Sequence, residues 1–213
     1  MYNYEEIYQT MKKAAKFALI KTIPIFLGYI FLGIAFGLLL QKSGLSVFWA
    51  FLISTLVYAG SMQFALVGIL TGGLSYVTTA VMTLFINSRH AFYGLTFIER
   101  FKEMRKAYPY MVFSLTDETY SLLCSMARPS AFTDKEWKAA TFFTAFFDQC
   151  YWIAGSVLGA LMGELITFDT TGIDFAMTAL FVVICVDQWK AAKTHIPAVT
   201  GFICGALLSL IHI

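Results

Sequence analysis

Charged residues are scarce in this sequence. Of its 213 residues only 13% are charged, whereas 59% are hydrophobic, and the mean hydropathy is +0.71. A soluble domain typically carries about 25% charged residues. The stretch 43–88 has no charge at all, and as a single helix it would be roughly 70 Å long. Because the hydrocarbon core of a bilayer is about 30 Å thick, this stretch must turn back within a membrane.

Sequence signatures of catalysis and metal binding are also missing. There is no GxxxxGK[ST] P-loop, no HExxH zinc motif and no GxSxG nucleophile motif. The four cysteines lie singly in apolar segments without a CxxC pair, which argues against a zinc site or a redox motif. We interpret these cysteines as small buried hydrophobic residues. No basic run is interleaved with aromatic residues, so no nucleic-acid partner is predicted. We expect a protein that is not an enzyme and that needs no cofactor or metal.

Apolar runs predict an all-α integral membrane protein that forms one domain over residues 1–213. The seven hydrophobic segments are Phe17–Leu40, Val47–Leu70, Leu74–Ile98, Tyr108–Ala127, Ala139–Gly163, Gly172–Trp189 and Ile196–Ile213. Residues 1–17 are interpreted as an amphipathic lead-in on the cytoplasmic surface. Three prolines lie near segment starts, where a missing N–H does little harm: Pro24, Pro109 and Pro197. A capping box at Thr133–Glu136 predicts the start of the fifth segment.

Lysine and arginine predict the orientation of the segments. The basic N-terminal region indicates a cytoplasmic N-terminus, and the acidic loop 164–174 indicates the outside. If all seven segments span, the basic loop 99–106 lies outside and breaks the rule. If Val47–Leu70 and Tyr108–Ala127 are both re-entrant, every loop obeys it. Both segments contain polar residues that weaken the helix, at 58–63 and 114–119, and we call these weak points. We favour seven segments with some of them broken. The re-entrant alternative stays open.

Glycine patterns suggest helix packing and a faint internal repeat. Gly33–Gly37 precedes an apolar run that ends at Gln63, and Gly155–Gly159 precedes one that ends at Trp189. A duplication of this kind fits transporters, whose sites form at broken helices between repeats. Small residues four apart let helix backbones approach closely. They predict internal packing or, alternatively, a face for another membrane subunit, and the pairs are Gly33/Gly37, Gly68/Gly72, Gly155/Gly159/Gly163 and Gly201/Gly205.

Acidic residues within apolar segments are costly unless they are paired or hydrated. Asp148 is the only charge between Lys138 and Glu164, and Asp117 and Glu118 interrupt the fourth segment. They point to a role in binding a proton or a substrate. The alternative for the two aspartates is a structural pair with Arg89 or His90. Asp187, three residues before Lys190, indicates a local ion pair near the interface.

Two further polar stretches suggest contacts with an amino acid. In Asn87–His90, Arg89 is suited to a carboxylate and His90 to a proton, although both side chains could instead snorkel or fix a helix near an interface. Thr116 could cap a half-helix whose free N–H groups bind a carboxylate. The stretch Tyr58–Gln63, which includes Ser61, could unwind and offer carbonyls to an ammonium group.

Six motifs occur in an order that resembles one known family. They are Gly28–Gly37, Tyr58–Phe64, Asn87–Gly94, Leu115–Tyr120, Gln149–Trp152 with Gly155, and Gly172–Phe181. Together they resemble the AzlC family, the large subunits of bacterial branched-chain amino acid exporters. The resemblance implies export of leucine, isoleucine, valine and sometimes methionine. It also implies a bacterial inner membrane, a small AzlD-type membrane partner and secondary transport driven by the proton gradient.

The sequence therefore predicts the large subunit of a two-component exporter in a lipid bilayer. Its expected substrate-binding residues are Arg89, Asn87, Thr116, Gln63 and Ser61, and its expected proton or ammonium partners are Asp117, Asp148, His90 and Glu118. Two alternatives stay open: an ion or small-solute channel, which would show flux without saturation or pH coupling, and a scaffold that only stabilises its partner.

Overall fold

The computed structural model describes residues 4–165 and 194–211, with single residues at 175, 179, 182, 185, 186, 189, 190 and 192 between them. These residues form helices and loops, with no strand among them. The helices are α1 Tyr4–Lys42, α2 Val47–Leu56, α3 Gly60–Gly72, α4 Tyr76–Lys102, α5 Tyr108–Phe113, α6 Asp117–Ser125, α7 Asp134–Leu165 and α8 Ile196–Ile211, with a 3₁₀ turn at Arg105–Ala107 before α5. The all-α prediction is confirmed for this part of the chain.

Helices α1 and α7 lie side by side and run parallel. Near their N-terminal ends Lys13 Nζ is 2.9 Å from Glu136 Oε1. Further along, a Cβ on Gly33 would lie 2.9 Å from Gly155 Cα, and a Cβ on Gly159 would lie 2.2 Å from the Ile34 carbonyl oxygen. Only glycine permits backbones to approach this closely. These glycines therefore serve internal packing, as one of the two interpretations predicted.

The two glycine motifs of the proposed repeat thus pack on each other. The duplication itself stays a prediction, because most of the run from Gly172 to Trp189 lies outside the described residues.

Helix α1 is one continuous helix of 39 residues. It joins the predicted lead-in 1–17 to the first apolar segment without a break. The expectation that Pro24 marks a helix start is wrong, since Pro24 lies inside α1. Proline there removes one backbone hydrogen bond, and the packing of α1 against α7 keeps the helix intact around it. Pro109 and Pro197 do lie in the first turns of α5 and α8.

The capping box that starts α7 is also confirmed. The Thr133 N–H donates to Glu136 Oε2 at 2.7 Å, and the Glu136 N–H donates to Thr133 Oγ1 at 3.3 Å. The two residues satisfy each other's free donors in the manner expected of this motif.

Helices α2 and α3 form a hairpin that enters and leaves at the C-terminal end of the α1/α7 pair. The end of α2 reaches the middle of α7, where Gln149 Nε2 donates to the Thr55 carbonyl at 3.2 Å. After the break at residues 57–59, Gly60 lies against the Trp152 ring. Helix α3 then returns toward the C-terminal end of the pair. The predicted weak point at 58–63 is confirmed as a break and reversal at its first residues, but the expected unwinding up to Gln63 is wrong, because residues 60–63 form the first turn of α3.

Helices α5 and α6 form a second hairpin from the opposite end. Helix α4 brings the chain to the N-terminal end of α7, where Arg100 donates to Thr141 Oγ1 at 2.7 Å. Helix α5 rises from there until the Phe113 ring lies 6.2 Å from the Tyr58 ring. After a break at 114–116, α6 returns, and Met126 near its end accepts from Thr144. The predicted weak point at 114–119 is thus a second reversal.

By length and composition, α1 is the one described helix that is suited to crossing a membrane. Helices α4, with 27 residues, and α7, with 32, exceed the roughly 20 residues that a span requires, but they are less apolar. Large apolar side chains point outward on both α1 and α4: Phe31 is 74% exposed and Phe85 75% exposed. An outer surface of this kind suits lipid.

The chain divides into two units, 1–173 and 174–213. In the second unit α8 is the described helix, and the role of its Gly201/Gly205 pair stays a prediction. The expectation of buried cysteines is wrong for the side chains described, since Cys124, Cys185 and Cys204 are exposed and Cys150 is half-buried. Cysteine is a small apolar residue that a lipid-facing surface tolerates as readily as a core.

Candidate functional site

The break between α2 and α3 is held by buried hydrogen bonds. Tyr58, at its centre, has a φ of 42°, a left-handed conformation that costs a residue with a side chain roughly 1–2 kcal/mol. Gln63 is fully buried and its Oε1 accepts from the Ala59 N–H at 3.2 Å and from Trp152 Nε1 at 2.9 Å. Its Nε2 donates to Ser54 Oγ at 3.2 Å. Gln63 therefore fixes the reversed backbone against α7.

The second break ends at a capped helix start that carries two acids. Thr116 is the N-cap of α6, and its Oγ1 accepts from the Thr119 N–H at 3.4 Å. Asp117 and Glu118 follow in the first turn, where the helix dipole favours negative charge. The prediction that a half-helix begins at Thr116 is confirmed.

Arg89, on α4, joins the two hairpins. One of its terminal nitrogens, Nη2, lies 2.6 Å from Ser61 Oγ on α3 and 2.8 Å from Asp117 Oδ2 on α6. The other carboxylate oxygen of Asp117 accepts from the Tyr93 hydroxyl at 2.7 Å. The alternative that Asp117 pairs with Arg89 is therefore confirmed as a contact. Both side chains stay about one fifth exposed, at 23% and 20%, so the pair is within reach of a solute.

Asp148 lies deeper and has a different partner. Its side chain is fully buried on α7, and Oδ2 accepts from the Thr119 hydroxyl at 2.8 Å. Among the described residues no salt bridge reaches it, so the alternative pairing with Arg89 or His90 is wrong for Asp148. Glu118 accepts from the Tyr29 hydroxyl at 2.7 Å. The Tyr29 hydroxyl also lies 2.6 Å from Thr116 Oγ1.

Buried polar atoms without a hydrogen-bond partner concentrate around these breaks. In the described part of the chain they are Tyr58 OH, Asn87 Oδ1, Arg89 Nε, Ser114 Oγ and Asp148 Oδ1. Most buried polar groups in proteins are paired, so each exception needs an explanation such as water or a ligand. Four of these atoms can accept a hydrogen bond, and Arg89 Nε can donate one. An ammonium group and a carboxylate need this combination.

The structure brings most of the predicted site residues together. Ser61, Arg89 and Asp117 are in contact, while Thr116, Glu118 and Asp148 belong to one hydrogen-bonded chain. The His90 ring lies 5.9 Å from the Tyr93 ring and interacts electrostatically with Asp117 and Arg89.

Two other predicted residues are arranged differently. Asn87 lies two residues before Arg89 on α4 and keeps a buried, unpaired oxygen. Both the oxygen and the nitrogen of the Gln63 side-chain amide are hydrogen-bonded to other groups of the protein. Asp187 lies outside the described residues, so its predicted pair with Lys190 stays a prediction.

Sequence reasoning missed the hydroxyl groups that link the acids. Tyr29, Tyr93 and Thr119 hold carboxylates at 2.7–2.8 Å. All three lie within the six motifs that resemble the AzlC family. Because they are uncharged residues in apolar sequence, a search for charged groups does not find them. A phenol or a threonine hydroxyl within a predicted span was the available signal.

This architecture defines a helical membrane protein with two broken segments around a buried polar site, and comparison with known proteins identifies the family. The AzlC protein family model matches residues 24–166, and the chain belongs to that family, which is a family of transport proteins. A branched-chain amino acid transport protein, AzlC, of Bacillus subtilis is 38% identical over 180 residues, covering 84% of this chain and 70% of the relative.

Two further relatives are known only as membrane proteins. One from Helicobacter pylori is 36% identical over 90% of this chain and 82% of its own. One from Haemophilus influenzae is 34% identical over 89% of this chain and 77% of its own. No solved structure matches the chain. The protein is therefore a membrane protein with a transport role.

Proposed function

We propose that this chain exports branched-chain amino acids from the bacterial cytoplasm in exchange for protons. Its substrates are leucine, isoleucine, valine and methionine, and it works with a small AzlD-type membrane subunit. The observation that carries the proposal is the position of Arg89, which contacts Ser61 of one hairpin and Asp117 of the other. A solute bound there touches both broken segments at once, as alternating access requires.

Arg89 is the proposed partner of the substrate carboxylate. Its planar guanidinium presents several donors and matches a carboxylate bidentately. Arg89 Nε is buried and has no partner, so one donor is available while Asp117 occupies the terminal nitrogen. Ser61 and Thr116, at the starts of α3 and α6, flank the same position. Asn87 lies two residues before Arg89 on α4 and adds a free acceptor.

The ammonium group and the aliphatic side chain of the substrate need different surroundings. Free acceptors are available at the two breaks, from Tyr58, Ser114 and Asp148. The Tyr58 and Phe113 rings, with centroids 6.2 Å apart, supply an apolar wall between the hairpins. Gln63 supports this region indirectly in our proposal, because it holds the break at Tyr58.

Proton coupling follows from competition for Arg89. When Asp117 is ionised it occupies Arg89, and when it takes up a proton the guanidinium is released to the substrate carboxylate. His90 lies beside this pair and is suited to exchange protons with Asp117, since its ordinary pKa is near neutrality. Glu118 and Asp148 are the further proton-binding groups.

The proposed topology has the N-terminus in the cytoplasm and both hairpins re-entrant. Basic residues gather at the N-terminal end of the α1/α7 pair, in the lead-in, in the loop 103–107 and around the start of α7. Positive residues favour the cytoplasmic side. With both hairpins reversing direction, every one of these loops falls on that side.

The proposed contact face for the partner subunit lies on α3. A Cβ on Gly68 would meet nothing within 4 Å, and one on Gly72 would meet only the Leu74 side chain at 4.0 Å. Small residues four apart on a free helix face suit close docking of another helix. The identity of the partner rests on the family resemblance.

Leucine efflux tests the proposed function. Cells without their own exporters are loaded with a leucine-containing dipeptide, and leucine outside the cells is timed. Strains express this chain, the small subunit, or both. Saturable efflux only with both supports the exporter. Flux that neither saturates nor responds to pH favours a channel, and a change in partner abundance without any flux favours a scaffold.

A further inference from the structure

We propose that Asp148 and Glu118 share a single proton through a chain of three hydroxyl groups, and that this chain is the protein's proton store. The link from this store to amino acid export rests on the function proposed above. The binding of the proton itself does not, because it follows from the hydrogen-bonded groups alone.

The chain is continuous from one carboxylate to the other. It passes from Asp148 Oδ2 to Thr119 Oγ1 (2.8 Å), Thr116 Oγ1 (3.1 Å), the Tyr29 hydroxyl (2.6 Å) and Glu118 Oε2 (2.7 Å). Each step is within hydrogen-bond distance. Helices α1, α6 and α7 each contribute at least one member, so the chain also connects the α5/α6 hairpin to the α1/α7 pair.

Counting hydrogens shows why one more proton belongs to the chain. Four oxygen–oxygen contacts need four hydrogens between them, whereas Tyr29, Thr116 and Thr119 supply only three. With both carboxylates ionised, one contact would bring lone pairs together at hydrogen-bond distance. A proton on either acid fills the fourth position and satisfies every contact.

The shared proton can pass from one acid to the other along the three hydroxyl groups, without a free ion between them. When Glu118 gives its proton to the Tyr29 oxygen, the Tyr29 hydroxyl proton passes to Thr116, that of Thr116 to Thr119, and that of Thr119 to Asp148 Oδ2. At each of the three hydroxyl oxygens one O–H bond forms as another breaks, while Glu118 loses its O–H bond and Asp148 gains one. The net result is transfer of one proton from Glu118 on α6 to Asp148 on α7.

The surroundings favour one bound proton over none. Among the described residues no salt bridge reaches Asp148 or Glu118. An unpaired carboxylate is costly at Asp148, which is fully buried, and less costly at Glu118, which is half-buried. Oδ1 of the fully buried Asp148 has no hydrogen-bond partner. The titratable groups that face the two acids are Tyr58 from the first break, Arg89 from α4, Tyr110 from α5 and Asp117 from α6. His90 of α4 lies one step further away, beside Asp117 and Arg89.

Infrared spectroscopy of the purified full chain tests the shared proton. A protonated carboxyl group has a C=O band distinct from that of a carboxylate. We expect one such band near neutral pH, lost in E118Q and lost equally in D148N. The amide N–H that E118Q or D148N introduces supplies the fourth hydrogen to the hydrogen-bonded chain. The acid that remains no longer needs a proton and ionises.

A matched control and the contrary outcomes make the test decisive. Y151F removes the Tyr151 hydroxyl, which bonds to Thr22 between α7 and α1. We expect it to leave the band unchanged. The shared proton would be wrong if the spectrum showed no band, or two bands that E118Q and D148N remove separately. It would also be wrong if only one of these two substitutions removed the band. The spectrum needs no transport, so an intact band without leucine efflux would reject the proposed function and leave the proton store standing.

Discussion

Trp152 of α7 donates its indole N–H to the Gln63 side chain of α3 at 2.9 Å, with both residues buried. This bond ties the reversed backbone of the first hairpin to the long helix that also carries Asp148. The position of the break relative to the buried acids therefore depends on a side-chain contact between residues far apart in sequence.

Replacing Gln63 should loosen this hairpin. Gln63→Leu leaves the Trp152 indole and the Ala59 N–H without their acceptor, and an unsatisfied buried donor costs about 1–3 kcal/mol. We expect a lower unfolding temperature in detergent, measured by intrinsic tryptophan fluorescence. Gln9→Leu is the matched control, since Gln9 bonds only to Glu5 on an exposed surface. Equal stability of both variants and the parent would contradict the role given to Gln63.

The parallel packing of α1 on α7 predicts a strong effect at Gly159. A Cβ there would lie 2.2 Å from a backbone oxygen of Ile34, so Gly159→Ala must push the helices apart. Overpacking typically costs about 1–3 kcal/mol, and we expect a clear loss of thermal stability or of folded protein in the membrane. Gly68→Ala, where a Cβ meets nothing within 4 Å, should be tolerated. If Gly159→Ala behaved like Gly68→Ala, the close approach of the two helices would be wrong.

Acid should weaken the attachment between the starts of α1 and α7. The hydrogen bond from Lys13, followed by that from the Thr133 N–H, lowers the pKa of Glu136 below its ordinary value of 4.5. Because the folded pKa is the lower one, the stabilisation is complete above pH 4.5 and is lost as the pH falls through the folded value.

The difference in unfolding temperature between the parent and Glu136→Gln should therefore be present at neutral pH and vanish in acid. Glu164→Gln, at the exposed end of α7, should show no such trend. A difference that grows toward low pH would have the wrong sign for this account.

The reversal of both hairpins gives a prediction about accessibility from outside the cell. On a background without native cysteines, Ser75→Cys should react with a membrane-impermeant maleimide added to intact cells, whereas Glu103→Cys should react only after lysis. Seven full crossings would give the opposite pattern for both positions. Ser75 and Glu103 are the exposed N-cap and C-cap of α4. Each substitution removes a surface contact, with the Thr78 N–H or with Lys138, and leaves the interior of the helix unchanged.

Local rules predicted the parts of this fold that depend on neighbouring residues. The cap at Thr116, the capping box at Thr133 and the weak point at Tyr58 follow from residue types within one turn. The spacing of small residues predicted close helix packing, with a face for another subunit as the alternative, but it did not show that Gly33 meets Gly155. Pro24 was misjudged because tertiary packing outweighs the cost of one missing backbone hydrogen bond.

The direction of the broken segments and the links between acids needed the structure. Hydropathy does not distinguish a segment that breaks and continues from one that breaks and returns. The charges of Arg89 and Asp117 made their pairing one of two alternatives. The hydroxyls of Tyr29 and Thr119 carry no charge and are ordinary in membrane helices. Their role arises only where helices from distant parts of the chain meet.

The central claim is that Asp117 and the substrate carboxylate compete for Arg89, and efflux by Asp117→Asn tests it most directly. Leucine efflux is measured with the small subunit present, over a range of external pH, alongside the parent and Glu99→Gln, which removes an exposed carboxylate from the same helix as Arg89. The account predicts that Asp117→Asn still moves leucine saturably but no longer responds to the proton gradient, while Glu99→Gln behaves as the parent. Asp117→Asn efflux with the full pH response of the parent, at equal expression, would contradict it.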